Sequence, residues 1–129
     1  MDIHEEEITV SQADLDARNH VNNVRYVQWV QDMAESHWLL KSSEATRNKF
    51  YWVMISHHIQ YKGEALLGDK LLLKTYVKET KGVKSVRMVE IYMKNSLKLL
   101  TTSETIWCYM SHDTHRPARI PEDIQRLFS

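Results

Sequence analysis

Side chains that could do chemistry are densest between Ala13 and Tyr26. This segment holds Asp14, Asp16, His20 and three asparagines, directly before an apolar run with helical spacing. A carboxylate beside a helix N-terminus can act together with the free N–H groups there, which stabilise negative charge developing on a carbonyl oxygen. Acyl transfer needs that combination. Because turns and helix caps use the same residue types, composition alone leaves both interpretations open.

The elements around this segment can be read from the apolar spacing. Residues 8–10 are a short β-prone run, and residues 11–23 form a loop. From Val24 to about Lys41, apolar residues recur with helical spacing in a wide stripe, which predicts a largely buried helix. Asn22 or Asn23 is expected to cap it, since a short acceptor side chain can bond the first free N–H groups.

The second half of the chain is typical of β-structure. Residues 42–49 are polar and are interpreted as a connection. Strands are predicted over Phe50–Tyr61, Lys70–Glu79, Val83–Lys94 and Leu97–His112, with turns at Gly68-Asp69, Lys81-Gly82 and Asn95-Ser96. Val89, Ile91 and Met93 share one face, so one side of the sheet is expected to be covered. The order of elements predicts an α+β domain whose antiparallel sheet wraps one helix.

Composition restricts the classes of function. The 129 residues suit one domain spanning 1–129, and 17 acidic side chains balance 17 basic ones, so no net positive charge favours nucleic acid. We expect no membrane span, because no apolar run approaches about 20 residues, and the acidic start does not resemble a secretory signal. The single cysteine, Cys108, excludes an intrachain disulfide and lies in an apolar run, which favours a core position and a cytoplasmic protein.

The motif in the loop carries a resemblance to a known family. Asp14-Leu15-Asp16, three further residues, His20-Val21-Asn22-Asn23 and then Tyr26 resemble the signature of hotdog thioesterases related to 4-hydroxybenzoyl-CoA thioesterase. The string is more similar still to plant acyl-carrier-protein thioesterases. Weaker likeness covers most of the chain. The resemblance implies a hotdog fold, with five antiparallel strands around one long helix, and hydrolysis of acyl-CoA or acyl-carrier-protein thioesters without a cofactor.

The resemblance also implies roles for residues of this loop. Asp16 matches the carboxylate that attacks the thioester or activates water, and His20 matches an active-site histidine. Asn23 occupies the position whose backbone N–H polarises the thioester carbonyl. Arg18 stands where the plant branch has asparagine, so that contribution cannot be transferred. An alternative for His20 is a purely structural one, in which its ring satisfies loop backbone groups.

Further residues are expected to contact the substrate. Asn22, Val24 and Tyr26 belong to the same motif and are predicted to bind it. Glu64 matches a catalytic glutamate of the plant enzymes, although a solvated turn carboxylate explains it equally well. Ala65 stands where those enzymes have cysteine, so a cysteine nucleophile is not expected.

Basic residues cluster near the turn that precedes the strand predicted over Val83–Lys94. They are candidates for contact with coenzyme A. In the resembling enzymes the nucleotide lies along the surface near basic residues, so Lys84, Ser85 and Arg87 are predicted contacts. The ordinary alternative is a solvated charged face.

The sequence is also compatible with other functions. A hotdog hydratase or dehydratase would share fold and substrate, but we find no catalytic histidine followed by a Phe-Pro run. A non-catalytic acyl-thioester binding module would use the same pocket. The seven histidines do not indicate a metal site, because the spacing between them is not that of a clear set of metal ligands. A homodimer or homotetramer is expected, since a five-stranded sheet leaves an open edge and the resembling enzymes complete their site across a two-fold axis.

Overall fold

The computed structural model describes all residues, 1–129, and contains one sheet and three α-helices. In chain order the elements are β1 (His4–Thr9), α1 (Asn23–Lys41), α2 (Glu44–Lys49), β2 (Phe50–Tyr61), β3 (Lys70–Lys81), β4 (Lys84–Met93), β5 (Leu99–Ser111) and α3 (Glu122–Leu127). The strands lie in the order β1-β3-β4-β5-β2 and every neighbouring pair is antiparallel. The predicted α+β arrangement, one long helix against a five-stranded antiparallel sheet, is confirmed.

The core lies between α1 and one face of the sheet. Alternate residues of the central strands are fully enclosed, among them Leu71, Leu73, Val89 and Ile91. They pack in one cluster with the buried face of α1, which comprises Tyr26, Trp29, Val30 and Met33. The predicted inward face of β4 is therefore confirmed. Burial of this stripe fixes the helix on the sheet, since non-directional apolar burial dominates folding free energy.

The long helix begins and ends close to its predicted limits. Its exposed side chains are mostly polar, apart from Val24, Leu39 and Leu40. Gln28 donates a hydrogen bond to Asp32 one turn later, at 2.9 Å. A second cluster, around Tyr109, packs near its C-terminal end. Among all three helices, none combines the length and apolar character that crossing a membrane would require.

Several features of the fold were not predicted, among them the start of β1 at His4 and not at Ile8. The segment 42–49, interpreted as a plain connection, contains α2, whose first turn is capped by Ser43 accepting from the Thr46 N–H at 3.1 Å. The C-terminal helix α3 was missed, and it buries Ile124. The strand β2 does not pair with the next strand in sequence but with β5, at the far edge of the sheet. Six-residue helices show too little periodicity to predict, and strand pairing over fifty residues leaves no local signal.

A buried polar chain joins the N-terminus, the helix and the sheet. The fully buried His37 contacts Asp2 Oδ2 through Nε2 at 2.6 Å and Arg87 Nη1 through Nδ1 at 2.8 Å. The same Nη1 donates to Thr75 Oγ1 at 3.0 Å. Because arginine can only donate, Nδ1 must accept, and the ring proton lies on Nε2. The structure thus holds His37 as a neutral imidazole.

The environment of His37 makes stability depend on pH. Burial lowers the pKa of His37 below its ordinary 6.5, the bond to Asp2 opposes this, and the charges of Arg87 and of the stacked His4 add to the lowering. The unfolded chain therefore binds a proton that the folded chain excludes. Stability contributed by this residue is present above about pH 6.5 and is lost as the pH falls toward the folded-state pKa.

We predict that the free energy of unfolding, measured by urea denaturation, declines between pH 7.5 and 5 and that His37→Gln makes the decline shallower. Glutamine can donate to Asp2 and accept from Arg87 but does not titrate. His58→Gln, at an exposed position on β2, is the matched control and should keep the parent slope. Identical slopes for the parent and His37→Gln would show that another group is responsible.

Candidate active site

The loop before α1 is closed by hydrogen bonds between its own residues. Leu15 and Val21 form an isolated antiparallel bridge at its base. Within it, the Asp16 N–H donates to the His20 carbonyl at 2.8 Å, and Asn19 adopts a positive φ of 62°. Asparagine tolerates this left-handed conformation better than most residues do. The sequence therefore favours a tight turn that projects the Asp16 side chain beside the helix.

The Asp16 carboxylate is held by main-chain donors. Its Oδ1 accepts the N–H of Arg18 at 2.9 Å and that of His20 at 3.1 Å. The hydrogen bond from His20, supported by that from Arg18, holds the pKa of Asp16 below its ordinary 3.8, against a smaller opposing effect of burial. Oδ2 has no hydrogen-bond partner in the chain. The carboxylate is therefore ionised at neutral pH with one oxygen free to react.

The helix N-terminus leaves its first N–H unused. Asn22 is the N-cap, because its Oδ1 accepts the Val24 N–H at 3.0 Å, and its carbonyl accepts the Arg25 N–H at 2.8 Å. Of the two predicted caps, Asn22 is thus the observed one. The N–H of Asn23, the first residue of the helix, has no acceptor within the chain. Such a free N–H can stabilise an oxyanion.

A second segment is fixed against the loop by two main-chain contacts. Ala65 donates its N–H to the Tyr26 hydroxyl at 3.2 Å and accepts from the Val21 N–H at 3.3 Å. Both Ala65 and Tyr26 are buried, so these bonds satisfy groups that water cannot reach. The contacts bring Glu64 to the mouth of the site. Tyr26 therefore has a clear structural role at this position.

The side chains of Arg18, His20 and Glu64 form a partly exposed group. His20 Nδ1 lies 3.2 Å from Glu64 Oε2 and 3.2 Å from Arg18 Nη2. Since Nδ1 carries either a proton or a lone pair, it can bond only one of these partners at a time. The Arg18–Glu64 pair is looser, at 3.8 Å. Such exposed pairs are weak, so His20 can exchange one partner for the other.

These residues surround a cavity of about 210 Å³. It is lined by Asp16, Arg18, His20, Val21, Asn22, Asn23, Tyr26, Tyr61, Gly63 and Glu64. Six predicted site residues are thus brought together, but Val24 is not, since its side chain is exposed and points away from the cavity. Tyr61 was not predicted for the site. Its position three residues before Glu64, at the end of β2, was the available signal.

The predicted contacts to coenzyme A are separated by the structure. Lys84 is exposed at the start of β4, whereas Ser85 and Arg87 are only 7% and 6% exposed. Ser85 and Arg87 were predicted to be surface contacts to phosphates. This prediction was wrong, because both side chains are buried on the inner face of the sheet. They border a different cavity.

Cys108 is buried, as its apolar context predicted, and does not border the loop cavity. Nowhere in the structure do three or more histidine, cysteine or carboxylate side chains group in a way that could hold a metal ion. The groups in the loop cavity that can take part in acyl-transfer chemistry are the Asp16 carboxylate, the Asn23 N–H and the polar side chains around His20.

A family model described as the thioesterase-like superfamily matches residues 10–128. No curated protein matches the sequence significantly.

Solved structures share the fold at low sequence identity. A 1,4-dihydroxy-2-naphthoyl-CoA thioesterase from Synechocystis has a TM-score of 0.85 at 20% identity, with 98% of this chain and 96% of that chain covered. The probable thioesterase YbaW from Escherichia coli has a TM-score of 0.82 at 20% identity, with coverage of 95% and 94%. A hypothetical protein from Staphylococcus aureus, solved in complex with CoA, has a TM-score of 0.87 at 18% identity, with coverage of 98% and 81%. These similarities identify the fold as a hotdog fold.

Proposed function

The chain belongs to the thioesterase-like superfamily, and from this premise we propose that it hydrolyses acyl thioesters to a carboxylic acid and a thiol. The observation that carries the proposal is the juxtaposition of a free, ionised carboxylate oxygen and an unused helix N–H in one cavity. Asp16 supplies the first and Asn23 the second. A thioester carbonyl held between them meets both requirements of acyl transfer, a nucleophile or base and an oxyanion donor.

In the proposed mechanism the substrate carbonyl oxygen accepts the Asn23 N–H, which stabilises the negative charge of the tetrahedral intermediate. Asp16 Oδ2 either attacks the carbonyl carbon or removes a proton from an attacking water. Collapse of the intermediate breaks the C–S bond, and the thiolate leaves and takes up a proton. If Asp16 attacks directly, water then hydrolyses the mixed anhydride and restores the carboxylate. Both routes consume one water.

His20 and Glu64 are assigned the positioning of water or substrate. Their contact at the mouth of the cavity is polar and partly exposed, and His20 Nε2 makes no hydrogen bond within the chain. The free Nε2 can therefore bond a water molecule or the thioester. Asn22 contributes indirectly, as the cap that holds the helix terminus in place.

The substrate class that we propose is acyl-CoA, with acyl-carrier protein as the alternative. Two structural neighbours support CoA, since one is a naphthoyl-CoA thioesterase and another was solved in complex with CoA. Lys84 is the exposed cation among the predicted phosphate contacts. The free thiol of Cys108 suits a reducing compartment such as the cytoplasm.

Release of thiol from a panel of acyl-CoAs tests the activity directly. We predict that Asp16→Asn lowers turnover at least about 100-fold with the fold retained, because the amide keeps the size but loses the charge for attack or proton removal. Asp14→Asn is the matched control two residues away, outside the cavity, and should change turnover only a few-fold. Activity of Asp16→Asn within a few-fold of the parent would reject this role. A parent protein that binds acyl-CoAs without cleaving them would be a binding module.

We predict that His20→Ala lowers turnover less than Asp16→Asn, because a positioning group contributes less than the reacting one. The double variant should lose little more than Asp16→Asn alone, since residues acting as one unit are not additive. The pKa of Asp16 is lowered, so its charge persists and turnover should stay level as the pH falls from 8 to 5. Equal losses in the two single variants, with activity declining at mildly acidic pH, would make the histidine the base.

We also propose that two copies of the chain pair through β2. This strand is 12 residues long and lies at the edge of the sheet, where its outer backbone groups have no strand partner. Two of its apolar side chains, Val53 and Ile55, are exposed at 43% and 52%. Pairing would satisfy the backbone groups and cover the apolar ones in a homodimer, and two dimers could join in a homotetramer.

Sedimentation at micromolar concentration should therefore show a species of at least twice the 15.3 kDa chain mass. Ile55→Lys should shift the equilibrium toward monomer, because a charge would be buried in the interface. Ile3→Lys, a matched change of an exposed isoleucine beside the opposite edge strand, should not. A parent protein that sediments only as monomer contradicts the pairing.

A further inference from the structure

A second, larger cavity of about 340 Å³ lies between the C-terminal half of α1, the sheet and α3. It shares no lining residue with the loop cavity. Ala34, in its wall, follows Tyr26 by eight residues on the same helix, which separates the two sites by about 12 Å along the axis. A cavity of this size accommodates a small organic molecule.

The walls of this cavity are rich in aromatic side chains. Trp38 and Trp52 meet edge to face, with ring centroids 5.6 Å apart, and Phe50, Trp107 and Phe128 also border the space. Such walls favour the burial of an apolar body. Aromatic lining with a few convergent polar groups is typical of ligand sites.

Arg87 is one of the polar residues that line the cavity. Its Nη1 is fully used, by His37 and Thr75, but the three N–H groups on Nε and Nη2 have no hydrogen-bond partner in the protein. The enclosed side-chain polar atoms without a partner are Thr101 Oγ1 and Tyr109 Oη. The free N–H groups of Arg87 also lack a partner, but they are not fully enclosed by protein atoms. Because Arg87 borders this cavity, these N–H groups face it.

The charge of Arg87 has no direct counter-ion. Burial lowers its pKa to about 10, so it stays protonated at neutral pH. The nearest carboxylate in its network, Asp2, is reached only through neutral His37 and also pairs with Lys41 at 3.1 Å. The Phe128 ring, with its centroid 5.4 Å from Cζ, covers the guanidinium. Glu35, the carboxylate in the cavity wall, forms no salt bridge with Arg87.

From these observations we propose that the cavity binds a small organic acid, with its apolar body against the tryptophans and its carboxylate accepting from Nε and Nη2 of Arg87. A planar guanidinium presents two parallel N–H groups that match the two oxygens of a carboxylate. The site is distinct from the one proposed for thioester hydrolysis, and binding requires no catalytic step.

Calorimetric titration with 3-phenylpropanoate and with the neutral, similarly shaped 3-phenylpropanamide tests the proposal. The carboxylate should bind the parent protein at least about tenfold more tightly, the difference that one charge-assisted pair provides. Equal affinities for the acid and the amide, or no binding of either at millimolar concentration, would overturn the proposal.

Variants locate the site and separate it from the catalytic one. Arg87→Met should abolish the preference for the acid while the amide still binds, and Arg47→Met, which removes the other arginine of the wall, should retain it. Ala34→Phe fills the cavity from the helix side and leaves Arg87 in place. It should weaken both ligands at least tenfold, so the test survives if Arg87→Met fails to fold. Asp16→Asn should leave both affinities unchanged. Loss of the preference in Arg47→Met alone, or unaltered binding in Ala34→Phe, would contradict the assignment.

Discussion

The packing of α1 onto the inner face of the sheet is the constraint on which both cavities depend. Tyr26, Val30 and Met33 lie on one buried stripe and are pressed against Leu71 and Ile91 of the central strands. Because protein interiors are close-packed, this contact leaves the helix little freedom to slide or rotate. Its N-terminus is therefore presented at one end of the sheet and its C-terminal half at the other, each with a fixed orientation.

Polar contacts at both ends of α1 add to the apolar packing that holds the helix on the sheet. At the N-terminal end, the Asn22 side chain caps the helix and the Tyr26 hydroxyl accepts the Ala65 N–H, so bonds between side chains and the main chain hold the loop with Asp16. At the other end, His37 connects the N-terminal segment to Arg87 on the sheet. Removing a partner from such a buried network leaves an unsatisfied group, which costs more than the bond itself contributes.

The sequence predicted those parts of the structure that have a local signal. The bounds of β2 agree with the prediction, α1 begins one residue earlier than expected, and the asparagine cap was among the two named. The cluster around Asp16 was predicted because its residues lie within one short motif. Pairing of β2 with β5 has no local signal, since it depends on contacts between distant segments.

The burial of Arg87 had a signal that was overlooked. Arg87 lies two residues before Val89 and four before Ile91, so strand alternation places its side chain on their inward face. Interpreting it by residue type alone, as a surface cation, ignored this parity. The burial of Ser85 follows from the same rule. For a charged residue in a strand, the face assigned by its neighbours is better evidence of burial than its own polarity.

The opposite charges of the two cavities suit opposite relations to an organic acid. In the proposed reaction the neutral thioester becomes a carboxylate next to ionised Asp16, and two negative charges at close range repel each other. Main-chain bonds to Asp16 Oδ1 preserve that charge and so favour departure of the acid product. The second cavity has a buried cation with free donors and no direct counter-ion, which attracts the same chemical group. In these two proposals, a chain with no net charge has one site that would expel a carboxylate and another that would retain one, and the length of α1 keeps them apart.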